Sequence, residues 1–139
     1  MSTTIHHHKE SFHLRDITQN IGTVLAIAPA VQTATVNGAP IDTTNFESAA
    51  IVISTGAIVG AGNFTAKIQD SQDGTNFADV AAQFLVGSLP AALAASSTYK
   101  QGYLGAARYI RAVLTLNSGT SIAAGAVAVL GNPKVAPVA

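Results

Sequence analysis

The clearest pattern in the chain is a strict alternation over residues 63–70, where Phe64, Ala66 and Ile68 point one way and Thr65, Lys67 and Gln69 the other. A period of two puts successive side chains on opposite faces of an extended backbone, so this stretch predicts a strand with one buried face. Residues 108–117 repeat the pattern, with Ile110, Ala112, Leu114 and Leu116 opposed to Arg111, Val113 and Thr115. Near the start, Ile21, Thr23 and Leu25 alternate with Val24 and Ala26. Pro29 is expected to interrupt that run before residues 31–36 resume it. Ile51-Val52-Ile53 reads as part of a strand buried on both faces, and residues 98–104 and 122–130 supply two more extended runs.

Turn residues separate these runs. Asn37-Gly38 predicts a tight hairpin closed by positive φ, and Asp42-Thr43-Thr44-Asn45 a second polar break. Gly56, Gly60 and Gly62 suggest a flexible loop. Ser71-Gln72-Asp73-Gly74-Thr75-Asn76 concentrates turn formers ahead of a returning strand at Phe77, and Asn117-Ser118-Gly119 marks another reversal. Residues 88–95 are compatible with one or two helical turns capped by Ser88, or with a crossing loop. Seven or eight short strands, with no sustained period of 3.6, predict an all-β fold: a single β-sandwich.

Composition sharpens this picture. Only 10% of the 139 residues are charged, against about 25% in an ordinary soluble domain. Ala, Thr, Val and Ile occupy 26, 14, 12 and 11 positions, which suits packed strands rather than a helix with a charged face. Residues 17–41, 80–99 and 112–133 carry no charge at all. Their Thr, Gln, Asn and Ser make them too polar for membrane spans, so no membrane partner is expected. A balance of seven basic and seven acidic residues gives no electrostatic reason to expect nucleic acid. A charge-poor surface instead favours burial against other subunits, so a homo-oligomer, dimer or trimer, is expected.

Residues 1–16 differ from the rest: they hold all four histidines and the charges Lys9, Glu10, Arg15 and Asp16. They read as an extended N-terminal arm, with residues 17–139 forming the sandwich and a short C-terminal tail. His6, His8, Lys9, Phe12, His13 and Arg15 are the arm's candidate assembly contacts. His6 and His8 would share one face of an extended segment, yet no third ligand stands at a suitable spacing, so no metal is assigned.

Catalytic chemistry finds little material. There is no Cys, and no His beyond residue 13, so a serine nucleophile would lack its usual base. Asp70, Asp73 and Asp79 belong to one hairpin, where solvated turn carboxylates are the ordinary outcome. The 70–81 stretch departs from a calcium loop at Gln72, Gly74 and Ala81, so Asp73, Gly74 and Asn76 are assigned to a structural turn with positive φ at Gly74. Gly56 to Gly62 lacks the Lys-Ser/Thr of a phosphate loop. The chain is therefore expected to be no enzyme and to take no cofactor. Lys100, Tyr103, Arg108 and Arg111 form a candidate basic and aromatic surface for subunit contact.

Asp73-Gly74-Thr75-Asn76-Phe77, Tyr99-Lys100-Gln101-Gly102-Tyr103-Leu104-Gly105, Ala107-Arg108-Tyr109-Ile110-Arg111 and Ala126-Val127-Ala128-Val129-Leu130-Gly131-Asn132-Pro133 together resemble small head proteins of tailed bacteriophages. These are auxiliary or decoration proteins that bind the outside of a capsid. The resemblance spans residues 46–133. It implies a jelly-roll-like β-sandwich, made in the bacterial host cytoplasm, that binds the major capsid protein as an oligomer and reinforces the lattice from the virion exterior. The alternatives are a carbohydrate-binding sandwich of a tail or adhesin, stacking sugars on Tyr99, Tyr103 or Tyr109, and a head-spike or tail structural component.

Overall fold

A computed structural model describes residues 13–138 and shows two antiparallel sheets packed face to face, a β-sandwich. The strands are β1 (Gly22–Gln32), β2 (Val36–Asn37), β3 (Ile41–Asp42), β4 (Phe46–Val59), β5 (Asn63–Ser71), β6 (Ala78–Asp79), β7 (Leu85–Val86), β8 (Thr98–Tyr103), β9 (Tyr109–Ser118) and β10 (Ser121–Pro133). One sheet runs β1-β10-β4-β8-β7, and the other β2-β9-β5-β6, with β3 also on β9. We call them the first and second sheets. Helical structure among the described residues is limited to 3-10 turns at Thr18–Asn20 and Ala82–Phe84. None is long and apolar enough to cross a membrane.

The short segments β2 and β3 pair successive parts of the same neighbour, Val36 with Leu114 and Ile41 with Ile110, so they form one interrupted strand. Counted that way, and leaving aside the two-residue edge β7, the sandwich has eight strands. The first pairs with the eighth, the second with the seventh, the third with the sixth and the fourth with the fifth. That is one long hairpin rolled up into two sheets, the jelly-roll arrangement.

The clean alternations behave as the sequence predicts. Phe64, Ala66 and Ile68 of β5 lie beside Leu116, Leu114 and Ala112 of β9 in the layer that meets the core. Ile51 and Ile53 of β4 and Ala126, Ala128 and Leu130 of β10 close it from the first sheet. Gly74 has φ of +78° and Gly119 of +80°, as their turns require.

Three expectations are corrected, and one left open between two forms is resolved. Pro29 does not break β1, because two register shifts, at Leu25/Ile27 and Ile27/Ala30, absorb it on an edge strand where no amide is needed. Asn37-Gly38 makes no tight hairpin. Asn37 pairs with Val113, and Gly38 continues along β9 by donating its amide to the Ala112 carbonyl at 2.7 Å. Gly56 lies inside β4, and the expected flexible loop shrinks to the two positive-φ residues Gly60 (60°) and Ala61 (54°), a tight turn that carries the chain from the first sheet to the second. Residues 88–95 form the crossing loop rather than helix, pinned by Leu93, which is buried and donates its amide to the Phe64 carbonyl at 2.9 Å.

Candidate functional site

Strand parity decides where each candidate side chain goes. On β8, Tyr99, Gln101 and Tyr103 turn toward the core, while Thr98, Lys100 and Gly102 face out of the first sheet. On β9, Arg111 faces out of the second sheet. Lys100 and Arg111 therefore sit on opposite outer faces of the sandwich, and the expected basic and aromatic surface does not assemble.

Tyr103 is corrected from surface to interior. It is only 6% exposed, and its hydroxyl donates to Asp70 Oδ2 at 2.7 Å while accepting the Ala107 amide at 3.0 Å. One side chain thus ties β8 of the first sheet to β5 of the second and to the loop leading into β9. Burial, reinforced by the neighbouring Asp70 carboxylate, pushes the phenol up to about 12. A group raised in the folded state stabilises fully below its unfolded value of about 10 and loses that contribution as pH climbs through the folded value. Thermal stability should therefore fall between pH 10 and 12. Tyr103→Phe should cost about 1–3 kcal/mol at neutral pH by orphaning its two partners, and should flatten the alkaline decline in melting temperature.

Arg108 is engaged within its own chain. Its guanidinium spans both oxygens of Asp42 (Nη2 to Oδ2, 2.9 Å; Nε to Oδ1, 3.3 Å), and Asp42 also accepts the Thr44 hydroxyl and amide. Arg108 and then Thr44 hold the Asp42 carboxyl well below the usual carboxylate range. Arg111 donates Nε to Gln69 Oε1 at 2.9 Å and lies 4.3 Å over the Phe77 ring. Gln69 passes the chain on to Asp79, which also pairs with Lys67 at 2.9 Å. The outer face of the second sheet is thus a charged, hydrogen-bonded surface.

The Asp73 turn is organised by its own donors. Asp73 Oδ1 accepts the Ser71 hydroxyl (2.7 Å) and the amides of Thr75 (2.8 Å) and Asn76 (2.9 Å), and Oδ2 accepts the Asn76 side-chain amide (2.8 Å). Those bonds, the Asn76 and Thr75 amides foremost, hold its carboxyl well below the ordinary range. Among the described residues no three His, Asp or Glu side chains gather to hold a metal ion.

Of the arm candidates, His13 and Arg15 are exposed, and Asp16 accepts the Thr18 and Gln19 amides, both at 3.2 Å, to start the first 3-10 turn. His6, His8, Lys9 and Phe12 lie outside the described residues.

Two surfaces escaped the residue-by-residue reading. At the end of the sandwich where β1 begins and β8 and β10 end, Leu14 (98% exposed), Ile17, Leu104 and Val135 all present apolar side chains to solvent. The Val138 amide donates to the Gln19 carbonyl at 2.7 Å, tying the two chain ends together there. Beside them a cleft of about 410 Å³ is lined by Phe46, Glu47, Tyr103, Arg108 and Lys134. Its arginine and tyrosine are hydrogen-bonded to Asp42 and Asp70. The second surface is the outer face of the first sheet, where Leu25, Val31, Val86 and Val127 are exposed. No protein-family model matches the chain, and no curated protein matches it either.

Proposed function

We propose that this protein is a structural component of a tailed-phage virion that docks on the outside of the capsid and stabilises the lattice. The observation that carries the reading is the apolar end formed by Leu14, Ile17, Leu104 and Val135. Exposed apolar side chains gathered at one end favour attachment to a protein surface. The resemblance supplies the class of partner, the major capsid protein. The jelly roll is compatible with it but is shared with lectin-like domains, so it does not choose between them.

The placement of the tyrosines supports the capsid reading. Tyr103 is buried, the Tyr99 hydroxyl accepts the Ala94 amide at 2.9 Å, and Tyr109 stands on the other sheet with Arg108 5.1 Å over its ring. Three tyrosines dispersed in this way make no sugar-stacking platform, which disfavours the carbohydrate-binding alternative.

Cryo-electron microscopy of intact virions should place the chain on the head exterior; finding it on the tail, or absent from particles, would reject the proposal. In capsid co-sedimentation, Val135→Glu and deletion of residues 1–16 should each release the protein to the supernatant. The deletion should leave the melting temperature of the isolated domain nearly unchanged, and loss of folding would instead make the arm part of the core.

A further inference from the structure

The outer faces of the two sheets differ in kind. That of the second carries Lys67, Asp79, Gln69 and Arg111 in one network, whereas that of the first carries, among the described residues, a single charge, Lys100, at its margin. Strand register lays the first sheet out in rows. Leu25, Val127, Val52 and Lys100 form one row, and Thr23, Val129, Ala50, Gly102 and Val86 the next. On the other side of the Leu25–Val127–Val52 ridge, Gly125 pairs with Ser54 and Ala123 lies against Gly56. These small residues floor a shallow trough of about 250 Å³.

We infer that this face is where two copies of the chain meet, sheet on sheet, about a two-fold axis passing near Val127. Size is the first argument. Five rows at about 6.6 Å along the strands, across four strands at about 4.8 Å, give roughly 600 Å² in projection before corrugation is counted. A stable interface buries about 800 Å² of accessible surface per partner, so the face matches what a dimer needs. Shape is the second. A two-fold axis running along the strands near Val127 brings the ridges of the two copies together at the centre of the contact, as an isologous interface requires, and the small Ala and Gly positions beside them let the sheets approach to the usual 10 Å or so. Charge is the third: the same rotation carries the two Lys100 side chains to opposite margins, so no like charges meet. A foreign partner with an acidic patch would find only this one cation to answer it. The inference stands apart from capsid docking, which uses the end of the sandwich.

Sedimentation velocity on the full chain should show a dimer at micromolar concentration. Val127→Glu, which places a carboxylate from each copy in the centre of the contact, should raise the dissociation constant at least about a hundredfold. Val135→Glu, at the apolar end, should leave the dimer intact while weakening capsid binding. Should Val127→Glu fail to fold, Val127→Cys serves instead: it introduces the sole thiol of the chain, and a short bis-maleimide should join the two copies covalently, while Val135→Cys should give no such product. A monomeric wild type, or a dimer indifferent to Val127→Glu and uncrosslinked through Val127→Cys, would overturn the inference. Dimerisation without capsid binding would keep it and reject the capsid proposal alone.

Discussion

Gly38→Ala should destabilise the fold by roughly 2–5 kcal/mol, whereas the same substitution at Gly131 should leave stability unchanged or raise it slightly. A Cβ built on Gly38 comes to 2.5 Å from the Ala26 carbonyl oxygen and 2.7 Å from that of Ala112, one on each sheet. Neither is a side-chain tip that can swing away. The Ala112 oxygen already accepts the Gly38 amide, and the Ala26 oxygen accepts the Ala39 amide at 3.3 Å. Relief therefore means prying the sheets apart where β1 and β9 come closest. Overpacking of this kind costs about 1–3 kcal/mol, and the buried backbone bonds it disturbs add about as much again. At Gly131 a Cβ meets only the Ser48 side chain, at 3.8 Å, in ordinary contact. Reduced freedom of the unfolded chain then works in favour of alanine, by about 0.4–1 kcal/mol. Urea denaturation of the two variants should separate them; equal midpoints would show that the sheets can part at Gly38 without cost.

Gly38 also shows where the sequence misleads. Asn-Gly is the strongest short hairpin signal, and its usual reason is positive φ. Here the glycine is needed because two backbones close in on it from different sheets, a requirement set by residues 12 and 74 positions away. Local pattern holds no trace of that. The same limit hid the Arg108–Asp42 pair, whose members stand 66 positions apart. Tyr103 is different, since the signal was present: with Lys100 pointing outward, parity alone sends Tyr99, Gln101 and Tyr103 inward.

Legibility also followed the two outer faces. Strands β5 and β9 were readable because the second sheet turns Lys67, Gln69 and Arg111 to water, so apolar and polar positions contrast along each strand. The first sheet presents valine and alanine on both sides. Val127 and Val129 face out while Ala126 and Ala128 face in, and the period of two fades from the hydropathy although the backbone keeps it. In β1 the bulge goes further and buries Ala26 and Ile27 in succession. A strand whose outward positions look like core positions breaks the binary pattern, and such breaks concentrate where a surface is meant to be covered. The failure of the alternation and the proposed dimer face are therefore one observation seen along the chain and across the sheet.

Gly74→Val and Asp73→Ala should both damage the hairpin between β5 and β6, and pH should tell them apart. Gly74 holds φ at +78°, which a β-branched residue tolerates poorly, and a Cβ there would also press on the Tyr109 ring at 3.3 Å. Its replacement by valine should cost about 1–3 kcal/mol at every pH at which the protein folds. Asp73 is more than a solvated turn carboxylate, since it gathers four donors from Ser71, Thr75 and Asn76. Those bonds favour the ionised form. A carboxylate lowered in the folded state contributes stability above its unfolded value, about 4, and loses it as pH falls through the folded value. The melting temperature of Asp73→Ala should accordingly lie below that of wild type at pH 7 and converge on it as the solution is acidified below about pH 4, while the gap for Gly74→Val persists. Were calcium the organising element, chelator would lower the wild-type melting temperature and leave Asp73→Ala untouched. Because both oxygens of Asp73 are taken by donors of its own loop, chelation should change neither protein.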